Sequence, residues 1–441
     1  MKRARLVLAV GAIVVISVTA AIRVWTTGAG ARASSPYRYR YERPVKGAVL
    51  AALRQEIAFY QDRAARDPVG GLDLAALGQT YLKMARATGD LTWYLLAEQS
   101  AHRSLANLPA GNSGALLVLA KVAEARHDFS TAIRLAQETQ GVDGLAVIVT
   151  SELARGNAAG ARQAVEILAG RAPGLGSYTL RALVSIAQGR DEDATADFQR
   201  ALAAEEAGET GSSAYARTLW GRYLYQRGRH DLARVLYLEA LRVLPQYPLA
   251  LVHLAELELR AGAYHAAEDL LTRVVTLTTA SPNVYDHVVL RGLARTRELQ
   301  GDAEGGRRFW DMAETRLRRD AASGAFGHRR ELAKLLLSRL DRNGVGEALS
   351  LLGAELKVRR DADTLETLAW ALMRAGRWQE AAAATHEALS AGVRDARLFY
   401  RAAVIEQHLG HGAAAQRLFR RARLTDPTFD ERARLVAGMG L

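Results

Sequence analysis

Between Ala362 and Phe429 the sequence states one pattern twice. Gly376 recurs as Gly410, Ala381 as Ala415, Ala388 as Ala422 and Ala369 as Ala403, each pair 34 residues apart. A fixed interval of that length restricts the chain to a stacked repeat, because each unit is one supersecondary element that buries its apolar face only against its neighbours. Within each copy a first helix (Leu365–Met373, Phe399–His408) ends at a glycine, where a left-handed backbone costs nothing. A second helix follows from Gln379 or Ala413. Alanine at the crossings lets the two axes approach closely, and Leu368, Leu372, Trp378, Leu389 and Phe419 fill the gaps between layers. Asp426-Pro427 closes the second copy.

This pattern resembles the tetratricopeptide repeat, a helix–turn–helix unit with small residues at set positions and proline near its end. The resemblance implies an all-α fold, a right-handed superhelical solenoid of helix–turn–helix repeats. It extends from Val45 to the end as roughly ten pairs. The match is closest from Ala214, where Trp220-Gly221, Gly228, Ala233, Tyr237, Ala240 and Pro245 hold signature positions and Ala255, Gly262, Tyr264 and Ala267 repeat them. Leu77-Gly78 with Tyr81 gives the signature of a first helix, but Ala87–Asp90 read as an extra turn before the second. Further pairs turn at His127-Asp128, Gly156, Gly189, Gly301-Asp302 and Asn343-Gly344. Ser281-Pro282 opens one pair, and Ala321–Gly327 is a small-residue loop. Val45–Arg66 is an amphipathic half-repeat covering the first layer, and Phe429–Val436 a polar-faced cap. Ala204–Ser213 is polar, acidic and glycine-containing, the place for a break between sub-arrays.

The amino-terminal stretch reads differently. Lys2, Arg3 and Arg5 precede an uncharged apolar run, Leu6–Ile22, near the short end of what spans a bilayer. Residues 1–25 are therefore expected to form a signal-anchor or transmembrane segment and 26–44 a linker, followed by sub-arrays at 45–213 and 214–441. The expected location is membrane-anchored with an extracytoplasmic body. Cleavage near Ala31-Arg32-Ala33 gives a secreted alternative. Tyr37-Arg38-Tyr39-Arg40-Tyr41 alternates aromatic and cationic residues, suiting either an anionic headgroup layer or a solvated linker.

With no cysteine, thiolate catalysis, disulfides and cysteine-ligated zinc are excluded. No phosphate loop, His-Glu-x-x-His, Gly-x-Ser-x-Gly or Rossmann glycine triplet occurs, so no catalytic residue, cofactor or metal site is assigned. His408 and His411 flank Gly410 without a third ligand. Asp191, Glu192, Asp193 and Asp197 complement the start of a helix. The net charge of +12 favours anionic partners. The arginine clusters at Arg307–Arg319 and Arg417–Arg423 spread around more than one helix face, so a nucleic-acid groove is not favoured.

The resemblance directs attention to the positions that such arrays turn to their concave side. Those positions hold Tyr215, Arg222 and Tyr225 in one sub-array and Trp370, Arg374, Arg397 and Tyr400 in the other, the residue types that binding surfaces enrich. The lysine and asparagine that chaperone-binding members use to clamp a peptide carboxylate are replaced by Thr218, Arg222 and Val252. The expected function is a non-catalytic, membrane-anchored scaffold for protein partners, acidic or extended segments among them. Alternatives are a nucleic-acid-binding or regulatory adaptor and, behind it, an enzyme with a site in the groove.

Overall fold

The computed structural model describes residues 37–139, 141–278, 283–323, 328–339 and 344–436. Among them every regular element is an α-helix. A leading helix, α1 (Ala48–Arg66), precedes ten helix pairs. These are α2 (Leu72–Thr88) with α3 (Thr92–Asn107), α4 (Ser113–Ala125) with α5 (Phe129–Glu138), α6 (Asp143–Ala154) with α7 (Ala158–Arg171), and α8 (Leu175–Ala187) with α9 (Asp191–Ala203). Next come α10 (Thr210–Tyr225) with α11 (His230–Val243), α12 (Pro248–Ala261) with α13 (Tyr264–Thr278), and α14 (Asp286–Leu299) with α15 (Ala303–Ser323). The last are α16 (Arg329–Ser338) with α17 (Gly344–Glu355), α18 (Ala362–Arg374) with α19 (Trp378–Ser390), and α20 (Ala396–His408) with α21 (Gly412–Thr425), and α22 (Glu431–Val436) closes the array. All of them belong to the unit that starts at Tyr41; residues up to Arg40 separate as another.

The expected crossings are where the sequence put them. Ala233, Ala255, Ala267, Ala369, Ala381 and Ala403 have no exposed surface. At Gly221 an added Cβ would sit 2.6 Å from the Tyr237 ring, so this crossing admits nothing larger than hydrogen. Two second helices start at a side chain that takes up a free amide of the first turn: Asp128 caps α5 through the Thr131 amide, and Asn157 caps α7 through the Gly160 amide. First helices also touch the next first helix along most of the array, α2 on α4 through α12 on α14 and α16 on α18 on α20. The even-numbered helices thus form the inner row of a curved solenoid and the odd-numbered ones its outer row.

The curvature is strong enough that the solenoid meets itself. Turns between first and second helices lie against the loops between pairs one superhelical turn further on. The Asn283 side-chain amide donates to the Thr88 carbonyl at 2.7 Å across 195 residues, and the Val284 amide donates to the Gly89 carbonyl at 2.9 Å. The Arg360 amide donates to the Ala154 carbonyl at 3.1 Å. Asp191, at the start of α9, pairs with Arg227 at 2.7 Å and with Arg394 of the following turn at 3.1 Å. Arg260 pairs with Asp426 at 2.6 Å and donates to the Thr428 carbonyl at 2.9 Å. The extra residues after α2 and Asp191 at the start of α9 therefore make contacts between turns.

Glycine at these turns answers two demands. Gly156 (φ +80°) and Gly189 (φ +68°) are left-handed, which glycine alone adopts without penalty. An added Cβ would also stand 2.4 Å from the Arg360 carbonyl oxygen at Gly156 and 2.0 Å from the Gly392 carbonyl oxygen at Gly189. Gly376 (φ +74°) has the same backbone with open space around it. At the α4–α5 turn the left-handed residue is His127 (φ +62°), whose ring reaches Glu355 of the next turn at 3.5 Å.

Two expectations change here. Among the described residues no helix is long and apolar enough to cross a membrane, which overturns the membrane-anchored, extracytoplasmic placement. The apolar residues of these helices form stripes facing neighbouring helices, and the longest, α15 with 21 residues, carries Arg307, Arg308, Asp311, Glu314 and Arg316 along its length. The run Leu6–Ile22, on which that placement rested, lies outside the described residues, as do Ser281-Pro282, Asn343 and residues 324–327. The segment after Pro427 is also more than a polar cap: Ala433 is buried, and Val436 packs on the Leu251, Val252, Ala255 and Leu259 cluster one turn earlier.

Substituting alanine at Gly376 should cost about 1–2 kcal/mol, the left-handed penalty alone. Gly189→Ala should lose a further 1–3 kcal/mol or so, because its methyl group overlaps the neighbouring superhelical turn. Thermal midpoints of the two variants, measured side by side, check this, and Gly189→Ala is expected to melt lower.

Candidate functional site

The inner row of one full superhelical turn lines a cavity of about 280 Å³. Its wall includes Arg222 and Tyr225 of α10, Glu256 and Arg260 of α12, Arg291 and Arg295 of α14, Glu331 and Lys334 of α16, Glu366 and Trp370 of α18, and Arg397 and Arg401 of α20. Ala433 and Val436 of α22 close it from the next turn. Six consecutive pairs thus direct one face at a shared space.

That face is a ladder of ion pairs between layers. Arg222 meets Glu256 at 2.5 Å, a step of 34 residues. Arg397 meets Asp363 at 2.7 Å over the same step, and Arg401 meets Glu366 at 2.5 Å. Arg291 pairs with Glu331 at 2.9 Å and Lys334 with Asp363 at 2.7 Å. The repeat explains the pattern: an inner position recurs in each layer, so a cation in one copy and an acid in the next are brought together by stacking alone. Burial by itself would push these carboxyls up, but the surrounding cations outweigh it. Glu256 is held low by Arg222, Asp363 well below the usual range by Lys334, Arg330 and Arg397, and Glu366 low by Arg401 and Arg397.

Aromatic rings lie between the charges. The Arg222 and Arg260 guanidinium groups stand 5.1 and 5.2 Å from the Tyr225 ring centroid. Arg401 stands 4.9 Å from that of Trp370. Tyr225 and Trp370 are buried, only 6% and 7% exposed, whereas Arg222 and Arg397 keep 29% and 26% of their side-chain surface. Of the residues expected on the concave side, then, Arg222, Tyr225, Trp370 and Arg397 share the cavity. Tyr215 lies apart, beneath Arg86 at 5.7 Å. Tyr400 packs on Phe419 and Phe429 at 5.4 and 5.9 Å and accepts a hydrogen bond from Arg434 of α22 at 2.5 Å. Arg374 is half-buried at the end of α18, outside the cavity wall.

The interior groups missed in the sequence are Arg291 of α14, Glu331 and Lys334 of α16 and Arg401 of α20. Part of the Arg307–Arg319 cluster finds protein partners. Arg318 pairs with Glu314 at 2.8 Å and Glu347 at 2.6 Å, and Arg316 pairs with Asp286 at 3.4 Å. The His408 ring stacks on Trp378 at 3.6 Å, and His411 meets Glu406 at 2.7 Å. In the stretch Ala204–Ser213, Glu205 forms a fully buried ion pair with Arg217 at 2.6 Å.

Fold and interior together define an all-α, tetratricopeptide-like solenoid closed around a charged interior. No family model and no curated protein matches the chain. Among solved structures it is similar to the APC/C hetero-tetramer Cut9–Hcn1, at 14% identity and a TM-score of 0.41, over 89% of this chain and 73% of that one. It is also similar to yeast Tom70, at 12% identity and a TM-score of 0.39, over 89% of this chain and 92% of that one. At that depth neither likeness bears on partner or function.

The Glu366 and Arg401 side chains are 3% and 6% exposed, so removing the Glu366 carboxylate leaves the Arg401 charge buried without its acid, a loss of about 3–5 kcal/mol. The Glu366 carboxyl is depressed in the folded state, so its contribution is complete above the ordinary glutamate value of about 4.3 and is lost as pH falls through the lower folded value. Glu366→Gln should therefore melt well below the wild type at pH 7. The gap should narrow as pH is lowered from about 5 to 3, because the wild type alone loses this contribution. Parallel melting curves across that range check the sign.

Proposed function

We propose that this chain is a non-catalytic scaffold that holds an extended or helical segment of a protein partner on the inner row of the superhelix. The observation carrying this reading is that Arg222, Tyr225, Trp370 and Arg397, from three separate helices, face one cavity. Arginine beside buried aromatic surface is the composition of interface hot spots. The non-catalytic part of the reading is supported by the state of the interior groups, whose acids and cations neutralise one another in pairs. Arg222 and Arg397 remain partly accessible, and an acidic residue of a partner would compete with Glu256 and Asp363 for them.

Affinity capture with the full-length protein tests the reading. Arg222→Ala and Arg397→Ala should each lose about tenfold in retained partner, on the order of 1–2 kcal/mol. Arg417→Ala, on the exposed side of α21, should lose none, with the melting temperature of each variant measured alongside. Equal loss at all three positions, or loss that follows unfolding, would move the contact away from this interior.

A further inference from the structure

The interior of the amino-terminal half is built unlike that of the carboxy-terminal half. A second cavity, about 640 Å³, lies among α1, α2 and α4 and is completed by residues 208–212 and by Leu244 and Tyr247. Arg86 of α2 and Lys121 of α4 both line it. Among the described residues neither has a carboxylate within 4 Å, whereas Arg222, Arg260, Arg291, Lys334, Arg397 and Arg401 each have one. The two acids on the cavity wall are engaged already. Glu56 pairs with Lys83 at 2.8 Å and accepts from the Thr80 hydroxyl at 3.0 Å, and Glu209 accepts from the Glu206 amide at 2.8 Å. Two cations thus face one space, and neither is paired with an acid of its wall.

Their surroundings strengthen the imbalance. Burial pushes Glu124, one turn beyond Lys121, up to about 7, and its carboxyl accepts from the Thr150 hydroxyl, so it is only a partial counter-charge near neutral pH. Burial and the repulsion of Arg86 lower Lys121, although Asp143 and Glu124 act the other way. Tyr94, Tyr215, Tyr247 and Tyr285 cluster electrostatically around Arg86 and are all raised by burial. Their hydroxyls therefore stay protonated, as hydrogen-bond donors. Apolar side chains complete the lining: Val49 and Leu53 of α1, Leu244, and Leu82 and Leu117, one turn before Arg86 and Lys121 on their own helices. A cavity this size suits a small ligand with an apolar body and few polar contacts.

We propose that this cavity is a binding site for an organic anion with an apolar body, its acidic headgroup on Arg86 and Lys121 and its chain along α1. Carboxylate and phosphate headgroups share the chemistry, since each accepts several charge-assisted hydrogen bonds from Arg and Lys. The site is distinct from the partner-binding interior around Trp370, and its existence does not depend on that reading.

Calorimetric titration of the full-length protein tests it, with dodecanoate, dodecyl phosphate, dodecanol and dodecyltrimethylammonium as probes below their aggregation concentrations, and inorganic phosphate as the headgroup alone. At least one anionic chain should bind about tenfold or more tightly than the alcohol or the cation, and the stronger of the two assigns the headgroup. Arg86→Gln combined with Lys121→Gln should abolish that preference while the melting temperature holds, and Lys121→Arg should retain it. Equal affinity for all four chains, an undiminished preference in the double variant, or binding of phosphate as tight as dodecyl phosphate would overturn the proposal. So would failure of both anionic chains to bind, including the case in which only an acidic peptide binds.

Discussion

The contact between successive superhelical turns is the constraint on which the rest depends. A solenoid of helix pairs needs only nearest neighbours to bury its core, yet here turn glycines and the loops between pairs press together across about 200 residues. Gly156 and Gly189 leave no room for a Cβ, and Asn283, Arg260 and Arg394 bind backbone or carboxylate groups of the adjacent turn. This fixes the radius of the coil. Six pairs complete a turn, so the inner helices of one turn face a shared space and line cavities that remain partly open to solvent.

Closure determines the electrostatics of the interior. Charges turned inward are taken from water, a cost that pairing offsets only with close geometry and few loose polar atoms. In the carboxy-terminal half the cations answer acids of the adjoining layer, of the adjacent turn or, for Arg295, of their own helix; Tyr225 lies by the Arg222 and Arg260 guanidinium groups and Trp370 by that of Arg401. Such pairs add little net stability compared with apolar packing. They make one register of layer on layer much better than its neighbours, since a slip sets like charges together. The amino-terminal half keeps the same plan but leaves Arg86 and Lys121 without acids. That difference separates an interior whose charges are paired within the protein from one with charge to spare.

The repeat was legible because its information is local: a 34-residue interval, small residues at crossings and glycine at the turn identify a helix pair wherever it stands. The ten pairs, the half-repeat at α1 and the buried alanines follow from that. Concave positions could be numbered where the register was clean, which located Arg222, Tyr225, Trp370 and Arg397. They were harder to number on α16, where Glu331 and Lys334 lie and the turn at Asn343-Gly344 is not matched by signature residues. Contacts between turns had no signature at all, since they join residues about 200 positions apart whose side chains are ordinary turn and cap types. Gly156 and Gly189 read as helix stops, and only the second role, close approach of another backbone, separates them from Gly376. Tyr215 and Tyr400 were placed by analogy of position and drawn away by local partners, Arg86 in one case and the packed segment after Pro427 in the other. The expected membrane placement came from an apolar run that lies outside the described residues, and no described helix carries it.

Stacked turns can be tested directly because the chain has no cysteine of its own. With Asp191→Cys and Arg394→Cys in one full-length protein, a short bifunctional maleimide should join the two positions rapidly and within single molecules, since the native side chains meet at 3.1 Å. A control pair, Asp191→Cys with Arg308→Cys, should not react in this way. Equal and slow cross-linking of the two pairs, or products that form only between molecules, would mean an open solenoid and would contradict the closed interior.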